Sequence, residues 1–151
     1  MISEKLTQLG IELPAPAAAV GAYLPALRSG NLIFISGQLP WHAGKLAHAG
    51  KLGAELTLEE GQAAARLCLL NALAALQAEI GSLELLRRLV RLEVYVNSAP
   101  GFTQQAQVAN GASNLAVDIL GPPGRHARLA LGAAELPLNA AVELALIAEV
   151  A

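Results

Sequence analysis

Residues Val142 to Val150 alternate strictly, with Val142, Leu144, Leu146, Ala148 and Val150 on one parity and Glu143, Ala145, Ile147 and Glu149 on the other. Successive side chains of a strand point to opposite faces, so this run has one wholly apolar face and one mixed face. A chain built around such a strand must lay apolar elements on the first face and meet a different environment on the second. Two helical segments can supply the first. Thr57 with Glu60 three residues on is a capping box and Gly81 a C-cap, and between them Leu69, Leu73, Leu76 and Ile80 step by four, three and four along one stripe. A second helix, from Thr103 to about Leu120, repeats that stepping with Val108, Ala112, Leu115 and Ile119. Gly121, Pro122, Pro123 and Gly124 stop it.

The rest of the chain reads mainly as strands. Residues 3 to 9 form a short amphipathic helical turn or two, and Pro14 and Pro16 then hold the backbone extended. Val20 to Leu27 and Leu32 to Ser36 are expected to be strands joined at Ser29, Gly30 and Asn31, the second ending sharply at Ser36-Gly37-Gln38-Leu39-Pro40. A glycine-rich loop follows over 41 to 54, with a short strand at Lys45 and Leu46. Ser82 to Leu86 form a helical turn into a strand from Arg88 to Val96. With two long helices for five or six strands, both helices are expected on one sheet face. The cheapest cover for the other, half-apolar face is a second copy of it, so a homo-oligomer with sites in clefts between subunits is expected.

Length and composition narrow the function classes. A chain of 151 residues reads as one domain spanning 1–151, without internal repeats. Although 54% of residues are hydrophobic, 31 of the 151 are alanine, and Arg, Glu or Asn interrupts the longest apolar runs. No stretch reaches the roughly 18 uninterrupted apolar residues of a spanning helix. Glu4 and Lys5 stand where a secretory leader has its apolar core, so a cytoplasmic location is expected. The net charge of −2 argues against a nucleic-acid partner, and the basic knot at Arg87, Arg88 and Arg91 reads as a solvated strand entrance or interface rim. Cys68, alone among Leu67, Leu69 and Leu70, reads as a buried hydrophobe. His42, His48 and His126 lack metal-ligand spacing, so no metal is expected.

Two charges remain conspicuous. Arg128 and Glu143 each sit in an otherwise apolar strand, either as edge-strand solubility devices or as parts of a site. In a plain hairpin turning at Pro137, Arg128 falls opposite Ala148, about five residues or ~17 Å along the strand from Glu143. The two then meet across a subunit boundary, through a bulge, or not at all.

The order strand, strand, helix, strand, helix, strand, strand carries particular residues at its corners. These are Gly21, Ala22 and Tyr23; Ser36 through Pro40; Val94, Tyr95 and Val96; Ala127 and Arg128; Glu135, Leu136 and Pro137; and Val142 and Glu143 through Ala148. In this the chain resembles the Rid, or YjgF-like, family over nearly its whole length from about Pro14, and its length resembles the divergent branch often labelled endoribonuclease L-PSP. The resemblance implies an α+β, chorismate-mutase-like subunit with a mixed sheet and two helices on one face, assembled as a homotrimer with ligand pockets between subunits. It also implies hydrolysis of enamines and imines such as 2-aminoacrylate to keto acids and ammonia, without a cofactor. Carried over position by position, Arg128 matches the arginine that grips the substrate carboxylate and Glu143 the carboxylate that positions or deprotonates water. Tyr23, Ser36, Gly37, Asn110 and Ala130 match pocket positions. The chain departs from the pattern at Ala22, where a proline usually precedes the tyrosine, and at Leu129 and Ala130, which replace small polar residues. Two other readings are a non-catalytic trimer that binds a small carboxylate and an endoribonuclease or translation inhibitor.

Overall fold

A computed structural model describes residues 1–151. Its organising strand is the alternating one. β7 (Val142–Val150) is the central strand of a five-stranded sheet of order β1-β2-β7-β5-β6, with β1 spanning Ala26–Ser29, β2 Leu32–Gln38, β5 Leu86–Asn97 and β6 Ala127–Ala133. Only β5 and β6 pair in parallel, so the sheet is mixed. The expected parity holds along all of β7, where Val142, Leu144, Leu146, Ala148 and Val150 are buried and the residues between them only partly so.

The two helices lie on that buried face. α2 (Leu58–Ile80) begins at the capping box: the Thr57 hydroxyl accepts from the Glu60 N–H and the Glu60 carboxylate accepts from the Thr57 N–H, both at 3.2 Å. It ends where Gly81, at φ +85°, donates its N–H to the Gln77 carbonyl. Such a cap is worth about 1 kcal/mol. α2 is long and apolar enough to suit a membrane span, yet most of its apolar residues are buried against the sheet and α3 (Gln105–Leu120). Val108, Ala112, Leu115 and Ile119 of α3 are buried, as their spacing predicted. Both helices join one cluster of 31 buried residues with Ile33, Leu92, Val94 and Leu146 of the sheet.

The two-residue turn Gly30–Asn31 closes the first hairpin, pairing Ser29 with Leu32. The strand expected from Val20 begins only at Ala26. Pro25 has no N–H to give, and its carbonyl takes the Ser36 N–H as an isolated bond. In the 41–54 loop, β3 (Trp41–His42) and β4 (Lys45–Leu46) form a small separate ribbon. α1 (Ile2–Gln8) is capped from afar, since Glu84 accepts from the Ile2 N–H at 3.1 Å and from the Ser3 N–H at 2.9 Å. Those bonds hold the Glu84 carboxyl below its ordinary pKa.

The expected hairpin of the last two strands is overturned. β6 and β7 are not neighbours, because β5 lies between them. β5, α3 and β6 make a βαβ unit, in which a helix of sufficient length lets two parallel strands adjoin. The segment around Pro137 then carries the chain past β5 rather than folding it back. Asn97, fully buried at the end of β5, fixes that crossing by donating to Asn139 Oδ1 at 3.0 Å and the Ala140 carbonyl at 3.1 Å. Lys51 reaches the same place, donating to Asn97 Oδ1 at 2.9 Å and to the Ala134 carbonyl. Leu138 and Asn139 adopt left-handed φ of 57° and 58°, conformations disfavoured for leucine that the clamp holds in place.

A candidate site in two halves

The new topology keeps Arg128 and Glu143 apart, as the hairpin would, but across β5 rather than along one neighbouring strand. Arg128 is level with Leu92, which is level with Leu146, so Arg128 shares the helix-covered face with both. Glu143 is level with Tyr95, on the other face. Their backbones are two strands and three residues apart, roughly 14 Å. Within one chain the two side chains point to opposite sides of the sheet.

The first half is an arginine cradle at the outer edge of β6. Arg128 Nη1 donates to Asn110 Oδ1 at 2.7 Å and to Ser113 Oγ at 3.2 Å. Asn110 and Ser113 are one turn apart on α3, the i, i+3 relation that puts two side chains on the same strip. Both bonds leave from Nη1, and the Nε–Nη2 edge keeps its two donors for something else. That edge has the planar fork that matches a carboxylate. Ser113 Oγ also lies 2.9 Å from His126 Nε2, and His126 Nδ1 lies 2.6 Å from the Gly124 carbonyl. A carbonyl can only accept, so Nδ1 carries the proton and Nε2 accepts from the Ser113 hydroxyl. Burial and the nearby Arg128 charge lower the His126 pKa, outweighing the Gly124 bond that raises it. Ala130, two residues beyond Arg128, packs against the core beside Val94.

The second half lies across the sheet on the open face. Between Ile35 and Gln38, β2 advances three residues while β7 advances two, a bulge centred on Ser36 and Gly37. Gly37 passes directly beneath Glu143; a Cβ there would stand 3.0 Å from the Glu143 carboxyl carbon and closer still to its oxygen. The Ser36 hydroxyl donates to the Leu24 carbonyl at 2.6 Å, tying the bulge to the segment before β1. Burial raises the Glu143 pKa above the ordinary carboxylate value. Beside it on β5, Arg91 donates to Glu93 at 3.0 Å and the Tyr95 hydroxyl to the same carboxylate at 3.4 Å. Tyr23 is 53% exposed, its hydroxyl accepting from the Val20 N–H at 3.4 Å. It precedes β1, so the full width of the sheet separates it from Arg128.

Of the residues singled out in the sequence, Arg128, Asn110 and Ala130 fall in the first half and Glu143, Ser36 and Gly37 in the second, and the contact between Asn110 and Arg128 is a finding of the structure. Sequence reasoning missed Ser113 and His126. The histidines were weighed only as metal ligands, whereas the informative signs were His126 standing two residues before Arg128 and Ser113 standing three after Asn110. Clefts of about 670, 490 and 860 Å³ lie elsewhere on the molecule, the last between residues 10–20, β3 and α2. None of the three includes Arg128 or Glu143.

Fold and site together define a small α+β domain whose two long helices cover one sheet face and whose arginine cradle sits at the sheet edge. The chain belongs to the family described as YjgF/chorismate mutase-like, putative endoribonuclease, whose model matches residues 3–150. It is 47% identical over 149 residues to Protein TCP17 of Trypanosoma cruzi, covering 98% of this chain and 93% of that one. The solved structure of Atu1372 from Agrobacterium tumefaciens is 45% identical, covers 99% of this chain and 92% of its own, and superposes with a TM-score of 0.93. A structure described as a putative endoribonuclease from Shewanella oneidensis MR-1 is 38% identical, covers 99% of both chains and gives a TM-score of 0.97.

Proposed function

We propose that the protein hydrolyses small carboxylate-bearing enamines and imines of the 2-aminoacrylate type to 2-keto acids and ammonia, as a homotrimer with its sites between subunits. The observation that carries this reading is the cradle. Asn110 and Ser113 hold one nitrogen of Arg128 and leave the Nε–Nη2 edge for a carboxylate. The separation of Arg128 from Glu143 agrees with an intersubunit site, because a β6 edge laid against the open face of a neighbour brings one half from each copy. That open face has reason to be covered, with Leu27 55%, Phe34 40% and Leu131 46% exposed. The neighbour would contribute Glu143, whose raised pKa suits a group exchanging protons with water, together with Gly37, Ser36 and Tyr23 as walls. No cofactor is required, since a protonated imine carbon is already electrophilic.

The test is to generate 2-aminoacrylate enzymatically and follow keto acid formation; no rate above background overturns the reading. A second reading, a trimer that binds a carboxylate without catalysis, draws on Leu129 and Ala130, which place no polar side chain beside the arginine. It gains if Arg128→Ala abolishes pyruvate binding while Glu143→Ala changes neither binding nor turnover. An RNA-cleaving role, suggested by relatives described as putative endoribonucleases, is disfavoured by the net charge of −2 and by the pairing of Arg91 with Glu93.

A further inference from the structure

We propose that the cleft of about 860 Å³ between residues 10–20, β3 and α2 is a second binding site, and that it takes a small organic ammonium ion, a primary amine carried on an apolar body. The cleft includes neither Arg128 nor Glu143, so the proposal stands apart from the imine-hydrolysis reading. Its volume lies within the range of about 300–1,000 Å³ that small-molecule sites occupy. Ten of its sixteen lining residues are hydrophobic, so the few polar groups among them decide what it can hold.

Asn71 is the most informative of these groups. It stands in the apolar run of α2, is only 4% exposed, and donates from its amide nitrogen to the carbonyls of Leu39 at 3.0 Å and Trp41 at 3.1 Å. Carbonyls only accept, so those two bonds identify the nitrogen branch of the amide and use both of its hydrogens. Oδ1 is left as an acceptor to which no group of the chain donates, on a residue that lines the cleft. A ligand N–H answers that acceptor, which is costly to leave unpaired in apolar surroundings. The charge on the lining points the same way. Glu12 is its only acid, it has no ion-pair partner in the chain, and no Lys or Arg lines the cleft. Trp41 adds an indole, the best aromatic partner for a cation. His42 is the one other titratable group on the lining. A carboxylate, an indole and a bare amide oxygen together favour a positively charged donor over an anion or a plain hydrocarbon.

The two walls of the cleft are held differently. Asn71 pins the β3–β4 ribbon to α2 through the Leu39 and Trp41 carbonyls. The ribbon itself turns through Ala43 and Gly44, at left-handed φ of 50° and 77°, the tight hairpin geometry that keeps Trp41 and His42 in place. Opposite, residues 12–19 belong to no helix or strand and form no backbone hydrogen bond. The ribbon is a preformed surface, and the arm is a wall that can settle against whatever lies on it.

The experiment uses Trp41, the only tryptophan of the chain, whose emission reports on the cleft directly, with calorimetry in parallel. Three probes share one apolar body and differ in charge: 4-phenylbutylamine, 4-phenylbutan-1-ol and 4-phenylbutanoate. They are titrated at about pH 8, where primary amines are charged and imidazole is not. The proteins are the wild type, Glu12→Gln, Ala17→Phe and Arg128→Ala. Glu12 and Ala17 are exposed, so neither change threatens the fold, and melting curves check this. Expected is saturable binding of the amine with a Kd on the order of 1 mM or below, about threefold tighter than the alcohol and about tenfold tighter than the carboxylate. Glu12→Gln should weaken the amine about two- to fivefold and leave the alcohol unchanged, the modest effect of an exposed charge. Ala17→Phe fills the cleft from the arm and should weaken both by about tenfold or more. Arg128→Ala removes the other seat for the carboxylate and should leave the amine titration as in the wild type. The proposal is overturned if the amine gives no saturable response up to about 10 mM, if the alcohol or carboxylate binds as tightly, or if Ala17→Phe leaves amine binding intact. An amine that binds only after the protein is diluted into dissociated chains also overturns it, because a second copy then holds the cleft.

Discussion

Gly111 and Gly37 stand behind the two halves of the site, and their surroundings are opposite in kind. Gly111, between Asn110 and the turn that carries Ser113, lies against the α2 backbone, and a Cβ there would stand 2.8 Å from Gln62 Cα. Gly37 lies under the end of the Glu143 side chain, 3.0 Å from its carboxyl carbon by the same construction. Helix backbone buried in a core cannot give way cheaply, whereas a carboxylate on a three-bond stem can. The cradle is accordingly held by the packing of the whole helical layer, and the carboxylate only by a local bulge. One half is rigid by construction and the other adjustable.

The largest expected effect separates the halves by binding. Arg128→Ala should weaken pyruvate binding by about 100-fold or more, the loss of two charge-assisted hydrogen bonds, while Glu143→Gln should leave it within about twofold; calorimetry measures both. If Glu143→Gln weakens binding as much, the two halves are not distinct in role. Next in size, Gly111→Ala should destabilise the fold by about 1–3 kcal/mol in urea titrations and weaken pyruvate binding with it, because α3 must back away from α2. An alanine that costs nothing there would remove the claim of rigidity. Gly37→Ala should cost less than about 1 kcal/mol of stability yet lower kcat roughly tenfold, since a displacement near 1 Å of a reacting group is enough for that. If its main effect is on melting, the bulge is structural and Glu143 is not adjustable. The smallest effect concerns pH. The Glu143 pKa is raised in the fold, so the stability linked to this group is fully present below its unfolded value and is lost as pH rises through the folded one. Glu143→Gln removes that loss and should raise the melting temperature by no more than about 3 °C at pH 7, with the difference vanishing near pH 4. A fall at pH 7 would show that Glu143 has a favourable charged partner in the assembly.

The halves also differ in how far the sequence revealed them. Parity along Val142–Val150 placed Glu143 on the face away from the helices, because burial on one side of a strand fixes every second residue. The caps of α2 and the stripe of α3 were equally local and equally legible. Arg128 was recognised as a charge out of place, but its partners on the sheet were misread. A turn at Pro137 between two strand-like runs looks like a hairpin from either side, and strand order is a property of the whole sheet. The available clue was α3 itself, a helix long enough to connect parallel strands, lying between β5 and β6. Ser113 and His126 escaped because α3 must first be laid against β6; only then do the three-residue step from Asn110 and the two-residue step before Arg128 bring them together.

The place of β7 at the centre of the sheet has a consequence for how the protein is made. β2 and β5 pair with opposite edges of β7 and not with each other, although both precede it in the chain. A nascent chain can therefore close the first hairpin and form α2 as it emerges, but no native hydrogen bond joins the two sides of the sheet until β7 itself has been synthesised. Until then the inward edges of two apolar strands stand open, and that interval is when the chain is most exposed to pairing with another copy.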